Sequence, residues 1–158
     1  MKAKDTLSWV DDKMKEHRLP RPKKPKGRDP EFEFPDDPSK LNSSQLGKLM
    51  MRYTAFYGYA QYLYGMADSE YTLVDEDYRT KINQLGIAVR EDLGRVSADV
   101  VEAEVLNRNK KEFAKLKERR RKLIAVRTQV EARLKIYERF YNALSRDLAR
   151  REIESRTL

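Results

Sequence analysis

The densest concentration of chemically capable side chains in this sequence is cationic. Arg108, Lys110, Lys111, Lys115, Lys117, Arg119, Arg120, Arg121 and Lys122 follow one another closely, opposed only by Glu112 and Glu118, and Arg127 comes soon after. Clustered ammonium and guanidinium groups bind phosphates or carboxylates through charge-assisted hydrogen bonds. A nucleic-acid backbone presents such phosphates in a row. An acidic protein surface is the other partner of that chemistry, and a solvated helix face is the plain structural alternative. Catalytic sets are missing by contrast. The chain has no Ser-His-Asp constellation, no HExxH and no Walker A loop. It has no cysteine, and His17 is its one histidine. Thiolate chemistry and zinc sites built on paired imidazoles are thereby excluded. Asp75, Glu76 and Asp77 are the tightest acidic cluster, but carboxylates on a helix beside Lys and Arg read as ion pairs. The expectation is a binding protein, without enzymatic activity, cofactor or metal.

Tyrosine supplies the second set of candidates. Tyr53, Tyr57, Tyr59, Tyr62, Tyr64, Tyr71 and Tyr78 fall in one stretch. Tyr53, Tyr57, Tyr64, Tyr71 and Tyr78 share an apolar helical stripe and read as core. Tyr59 and Tyr62 lie off it, one turn apart, where they could stack on unpaired bases or serve a protein interface. Gly58 and Gly65 stand seven residues apart in the same stretch. Each costs a helix about 1 kcal/mol relative to Ala. Simple tolerance or a slight bend is one reading. Close approach of a second subunit is the other, which makes them the candidate oligomer interface.

The elements that must carry these residues are helices. The chain is 38% charged and 39% hydrophobic, with a mean hydropathy of -0.87, a composition suited to long helices with a narrow apolar stripe. All prolines lie between Pro20 and Pro38, so nothing after Pro38 is broken by proline. Net charge is +2 over residues 1–40, -4 over 41–104 and +10 over 105–158, adding up to +8 overall. The basic excess therefore belongs to the last third, a footprint for an anionic partner or for an acidic neighbouring subunit. No apolar run is long enough to span a membrane and no apolar leader opens the chain. A cytoplasmic protein without membrane contact is expected.

Three segments follow. Residues 1–17 hold a short amphipathic helix over 5–17, with Leu7, Val10, Met14 and His17 at helical spacing and Trp9 beside them. It is too short to stand alone in water, so Leu7, Trp9, Val10 and Met14 are candidates for partner docking, in cis or in trans. Residues 18–40 form a Pro-rich extended linker. Residues 41–158 form a long antiparallel helical hairpin or coiled coil. Its first helix starts at a capping box, Asn42 with Gln45, stapled by Leu41 and Leu46. It carries an apolar stripe from Leu46 to Val89 and ends near residue 92, which at 1.5 Å per residue is a rod of about 70 Å. Gly86 and Gly94 bracket the break. Ser97 or Asp99 caps a second helix over about 98–154, with a seam at Leu106, Phe113, Leu116, Arg120, Leu123, Arg127, Val130, Leu134, Tyr137, Tyr141, Leu144 and Leu148. Arg120 and Arg127 occupy seam positions, where an unpaired guanidinium would be costly. Either the seam opens there or an acidic partner enters it.

The segment Leu41-Asn42-Ser43-Ser44-Gln45-Leu46-Gly47 resembles the opening of small helical-hairpin proteins of tailed bacteriophages. Leu144-Ser145-Arg146-Asp147-Leu148-Ala149-Arg150-Arg151 resembles the Arg-rich helix ends of the same group. The layout of residues 41–151 is similar to that of UvsY-type recombination mediators, whereas the Pro-rich arm has no counterpart there. That resemblance implies a helical homo-oligomer that binds single-stranded DNA and loads a recombinase, in the host cytoplasm. The competing expectation is a virion, scaffold or adaptor protein whose basic helix meets an acidic protein. A third is a small regulatory protein that captures its target through the 5–17 helix.

Overall fold

The computed structural model describes residues 3–19, 21–26 and 34–156. Among them the chain is all-α. Helix α1 spans Ala3–Glu16, α2 spans Ser43–Leu93, α3 spans Ala98–Arg108 and α4 spans Lys110–Arg156, with a 3₁₀ turn at Pro38–Lys40. The pair α2 and α4 forms the helical hairpin. No helix among the described residues is long and apolar enough to cross a membrane.

Local chemistry accounts for the helix ends. The Asn42 side chain accepts from Gln45 N–H and the Gln45 side chain accepts from Asn42 N–H, both at 2.9 Å, so the capping box closes in both directions. Two otherwise orphaned donors of the first turn are satisfied this way. At the other end Gly94 takes φ +73° and its N–H reaches Arg90 C=O at 2.9 Å. This left-handed cap position favours glycine because a Cβ would crowd the following carbonyl. Ser97, not Asp99, caps α3.

Two expectations need correction. Gly86 does not bracket the break. It is buried inside α2, where a Cβ would sit 3.0 Å from Val101 Cγ1, so its smallness lets α3 approach. The second long helix is not continuous either. Asn109 interrupts it at φ -120°, ψ 33°, dividing it into α3 and α4. The Asn109 side-chain amide donates to Val105 C=O at 2.9 Å, a local bond that competes with the helical ladder.

The chain divides into two compact units that cut across both long helices: residues 1–19 with 66–127, and residues 20–65 with 128–158. In the first unit Tyr78, Val89, Val101, Val105 and Phe113 form the core, so α2, α3 and α4 all contribute. Helix α1 belongs to this unit by contact. Its Leu7 and Val10 are half-buried, while Trp9 is 58% exposed and Met14 40%.

In the second unit the core is Leu46, Tyr53 and Leu144, with Phe34, Leu41 and Phe140 among the side chains packed on it. Phe34 brings the end of the linker into that core, its ring centroid 4.9 Å from that of Phe140. Phe32 and the middle of the linker, 27–33, lie outside the described residues. Arg151 anchors the 3₁₀ turn by donating to the carbonyls of Leu41, at 2.5 Å, and Pro38, at 3.0 Å. Part of the Arg-rich helix end is thus structural. Tyr141, placed on the seam from the sequence, is 39% exposed. Phe140 takes the inward position instead, because a straight helix at 3.6 residues per turn drifts away from a strict heptad.

Candidate nucleic-acid interface

The first unit holds all ten cations singled out from the sequence, and its geometry sorts them into two groups. One group is neutralised by the chain's own acids. Arg120 donates to Asp75 Oδ1, and its guanidinium lies 4.3 Å from the centroid of the Tyr78 ring. Arg127 donates to Asp68 Oδ1 at 2.9 Å and lies 5.1 Å from the Tyr71 centroid. The acidic group that the seam requires comes from α2 itself. The arrangement repeats: Asp-x-x-Tyr occurs at Asp68/Tyr71 and again seven residues on at Asp75/Tyr78, while the matching arginines step seven residues back along α4. Each guanidinium therefore has a carboxylate in hydrogen-bond reach and an aromatic face beneath it.

Burial opposes the charge on Arg120, but the Asp75 carboxylate outweighs it and holds the guanidinium pKa above its ordinary value. Asp75 is itself buried and also accepts from Arg79 at 2.8 Å. Tyr78 donates its hydroxyl to Glu102 at 2.9 Å. Burial, then that bond, raises the phenol pKa.

Three more of the ten are also engaged. Arg119 donates to Glu70 at 2.6 Å. Arg108 bridges Asp92 and Glu104, with the Asp92 bond the first cause of its raised pKa. Lys122 pairs with Glu118 at 2.6 Å along one helix edge, and that hydrogen bond lowers the Glu118 pKa.

The second group is Lys110, Lys111, Lys115, Lys117 and Arg121. All five are exposed, and none pairs with an acid among the described residues. They lie on the first turns of α4, where Phe113 and Leu116 hold the opposite side against the core. The region therefore presents unpaired positive charge on a helix whose other side packs on the core. Nothing in it resembles a catalytic constellation. Among the described residues no group of three potential ligands could hold a metal ion.

The other candidates sit elsewhere. Tyr59 and Tyr62 belong to the second unit, half-buried, with ring centroids 6.3 Å apart. They contact each other, whereas the cations belong to the first unit. Gly58 and Gly65 are exposed, and a Cβ on either would meet nothing within 4 Å. Among the described residues nothing demands glycine at those positions.

Sequence reasoning missed the partners more than the cations. Asp68 stands seven residues before Asp75, a spacing visible in the sequence, whereas Glu70 carries no such signal. Phe140 falls beside the seam of the second long helix and Phe56 beside the apolar stripe of α2, so neither stands out by periodicity; Phe56 packs on Tyr137 at 5.7 Å between centroids. No protein-family model, no curated protein and no solved structure matches this chain.

Proposed function

We propose that this protein is a helical accessory factor that binds nucleic acid through phosphate contacts from the start of α4. One observation carries the reading. Within a run of ten cations, five are neutralised internally, and the remaining five, Lys110, Lys111, Lys115, Lys117 and Arg121, are exposed and unpaired on one backed helix. Paired charges serve the fold. Unpaired like charges repel one another and gain most from a polyanion that releases its condensed counterions on binding. Phosphate contacts carry no base information, so recognition is independent of sequence. The resemblance of residues 41–151 in layout to UvsY-type mediators is the ground for placing that binding in recombination or replication. Self-association through the open Gly58 and Gly65 face belongs to the same reading.

The test is polymer binding by the full chain, followed by fluorescence anisotropy at about 50 mM salt, where phosphate contacts are strong. Wild type is expected to bind, and to weaken steeply as salt rises. Replacing all five free cations with Gln is expected to abolish binding while the melting temperature stays in place. Wild type that binds no nucleic acid at this salt would sink the reading and leave an assembly role, with the same cations on an acidic protein surface.

A further inference from the structure

We propose that this face of α4 lies in the major groove of B-form DNA, with its free cations divided between the two phosphate rails. The inference rests on the nucleic-acid reading above and names the polymer. At 3.6 residues per turn, Lys110, Lys117 and Arg121 form one row within about 40° of arc. Lys111 and Lys115 form a second row, about 120° around the helix from the first. Lys122 lies on that second row as well, but it is paired with Glu118 and is not one of the five free cations.

Between the two rows stand Ala114, Glu118 and Ala125, all exposed. The side directly opposite carries Phe113, Leu116, Arg120 and Arg127, which pack on or pair with α2 and the core. The helix thus presents a strip with two small side chains, flanked by cations on both sides and supported from behind. A major groove about 12 Å wide admits one α-helix with its side chains. A helix seated there has a phosphate rail on each flank and base edges below, where alanine can touch thymine methyl groups.

The competing polymers fit this face less well. A single strand has one phosphate row, so it would occupy one row of cations and leave the other idle. It also gains from aromatic platforms, and no aromatic side chain stands between the rows. Duplex RNA has a major groove too deep and narrow for such an element to enter.

The experiment compares the full chain on three labelled probes of one mixed sequence: a DNA duplex of about 30 base pairs, one of its strands, and the matching RNA duplex, each across a salt series. The DNA duplex is expected to bind tightest. Its log affinity should fall against log salt with a slope of about 4.5, at roughly 0.9 for each of five contacts. Lys110→Gln with Lys117→Gln and Arg121→Gln should lower that slope by about 2.7, and Lys111→Gln with Lys115→Gln by about 1.8. Circular dichroism of both variants should match wild type, since Gln is a good helix former. Single strand or RNA duplex binding as tightly as the DNA duplex overturns the groove assignment alone. So does a slope unchanged by neutralising either row. Failure to bind any probe at low salt overturns the nucleic-acid reading itself, and this inference with it.

Discussion

At the scale of single residues, the ion pairs under Arg120 and Arg127 separate structural charge from functional charge. The Arg120 and Asp75 side chains are only 26% and 12% exposed. Removing one partner strands the other in a poorly solvated place, whereas replacing both with apolar groups is often neutral. Arg120→Leu is expected to cost about 2 kcal/mol, below the range for fully buried pairs because Arg79 still reaches Asp75. Adding Asp75→Leu should restore most of it. Urea denaturation checks this, and a double variant no more stable than the single one would show that the pair is not the operative contact. For the same reason, reversing Arg119 and Arg120 to Glu is a poor probe of binding. It sets like charges against Glu70 and Asp75 and weakens the fold itself. Asp147 offers a pH test of the second unit. Hydrogen bonding from Arg150, with support from the Arg151 charge, holds its pKa below the ordinary aspartate value. A lowered carboxylate pKa means that the native state favours the ionised form. Its contribution is complete above the unfolded value of about 3.9 and is lost as pH falls through the lower folded value. Asp147→Asn should therefore melt below wild type at pH 6, and the gap should close as the pH drops below about 4. A gap that persists unchanged to pH 2 would mean that the carboxylate charge is not what matters.

At the scale of elements, glycines report which helix positions are constrained. Gly94 sits at φ +73°, so Gly94→Ala should cost about 1 kcal/mol from left-handed strain. Gly58 lies in open space inside α2, so Gly58→Ala should add about 1 kcal/mol by helix propensity when the chain is dilute. Thermal melts of the two variants on either side of wild type check the pair, and the reverse order would refute it. The same elements show what the sequence disclosed. Periodicity and proline placement located α2 well, since the Asn42–Gln45 box is a local motif with a local cause. The Asn109 break was hidden because it interrupts a run of good helix formers without glycine or proline. Gly86 has a cause that local sequence does not show, because it is α3 that packs against it. The free cations were visible as a run, but their separation from the structural ones was not. That depends on which acids of α2 lie opposite, and so on the register of the hairpin.

At the scale of the whole molecule, each unit leaves apolar side chains exposed, and in the second unit some of them lie beside Gly47. A groove of about 300 Å³ is lined by Tyr53, Tyr57, Tyr137 and Tyr141, and another of about 500 Å³ by Gly47, Met50, Met51 and Leu148. Met51 is 75% exposed. Buried apolar area is what stabilises a helical protein with so little hydrophobic composition, and a second copy is the partner that every chain has at hand. Small residues such as Gly58 and Gly65 permit backbones to approach, so a leucine at either would hold a neighbouring helix away; among the described residues nothing stands within 4 Å of an added Cβ there. We therefore predict an assembly larger than a monomer at tens of micromolar, a range in which contacts of about 1 μM Kd are already formed. Gly58→Leu with Gly65→Leu should lower the mass measured by light scattering while helix content is kept or raised. A wild-type mass equal to one chain at that concentration rejects self-association. A variant that keeps the wild-type mass rejects this face as its route and leaves the exposed Trp9 side of α1 as the surface to test next.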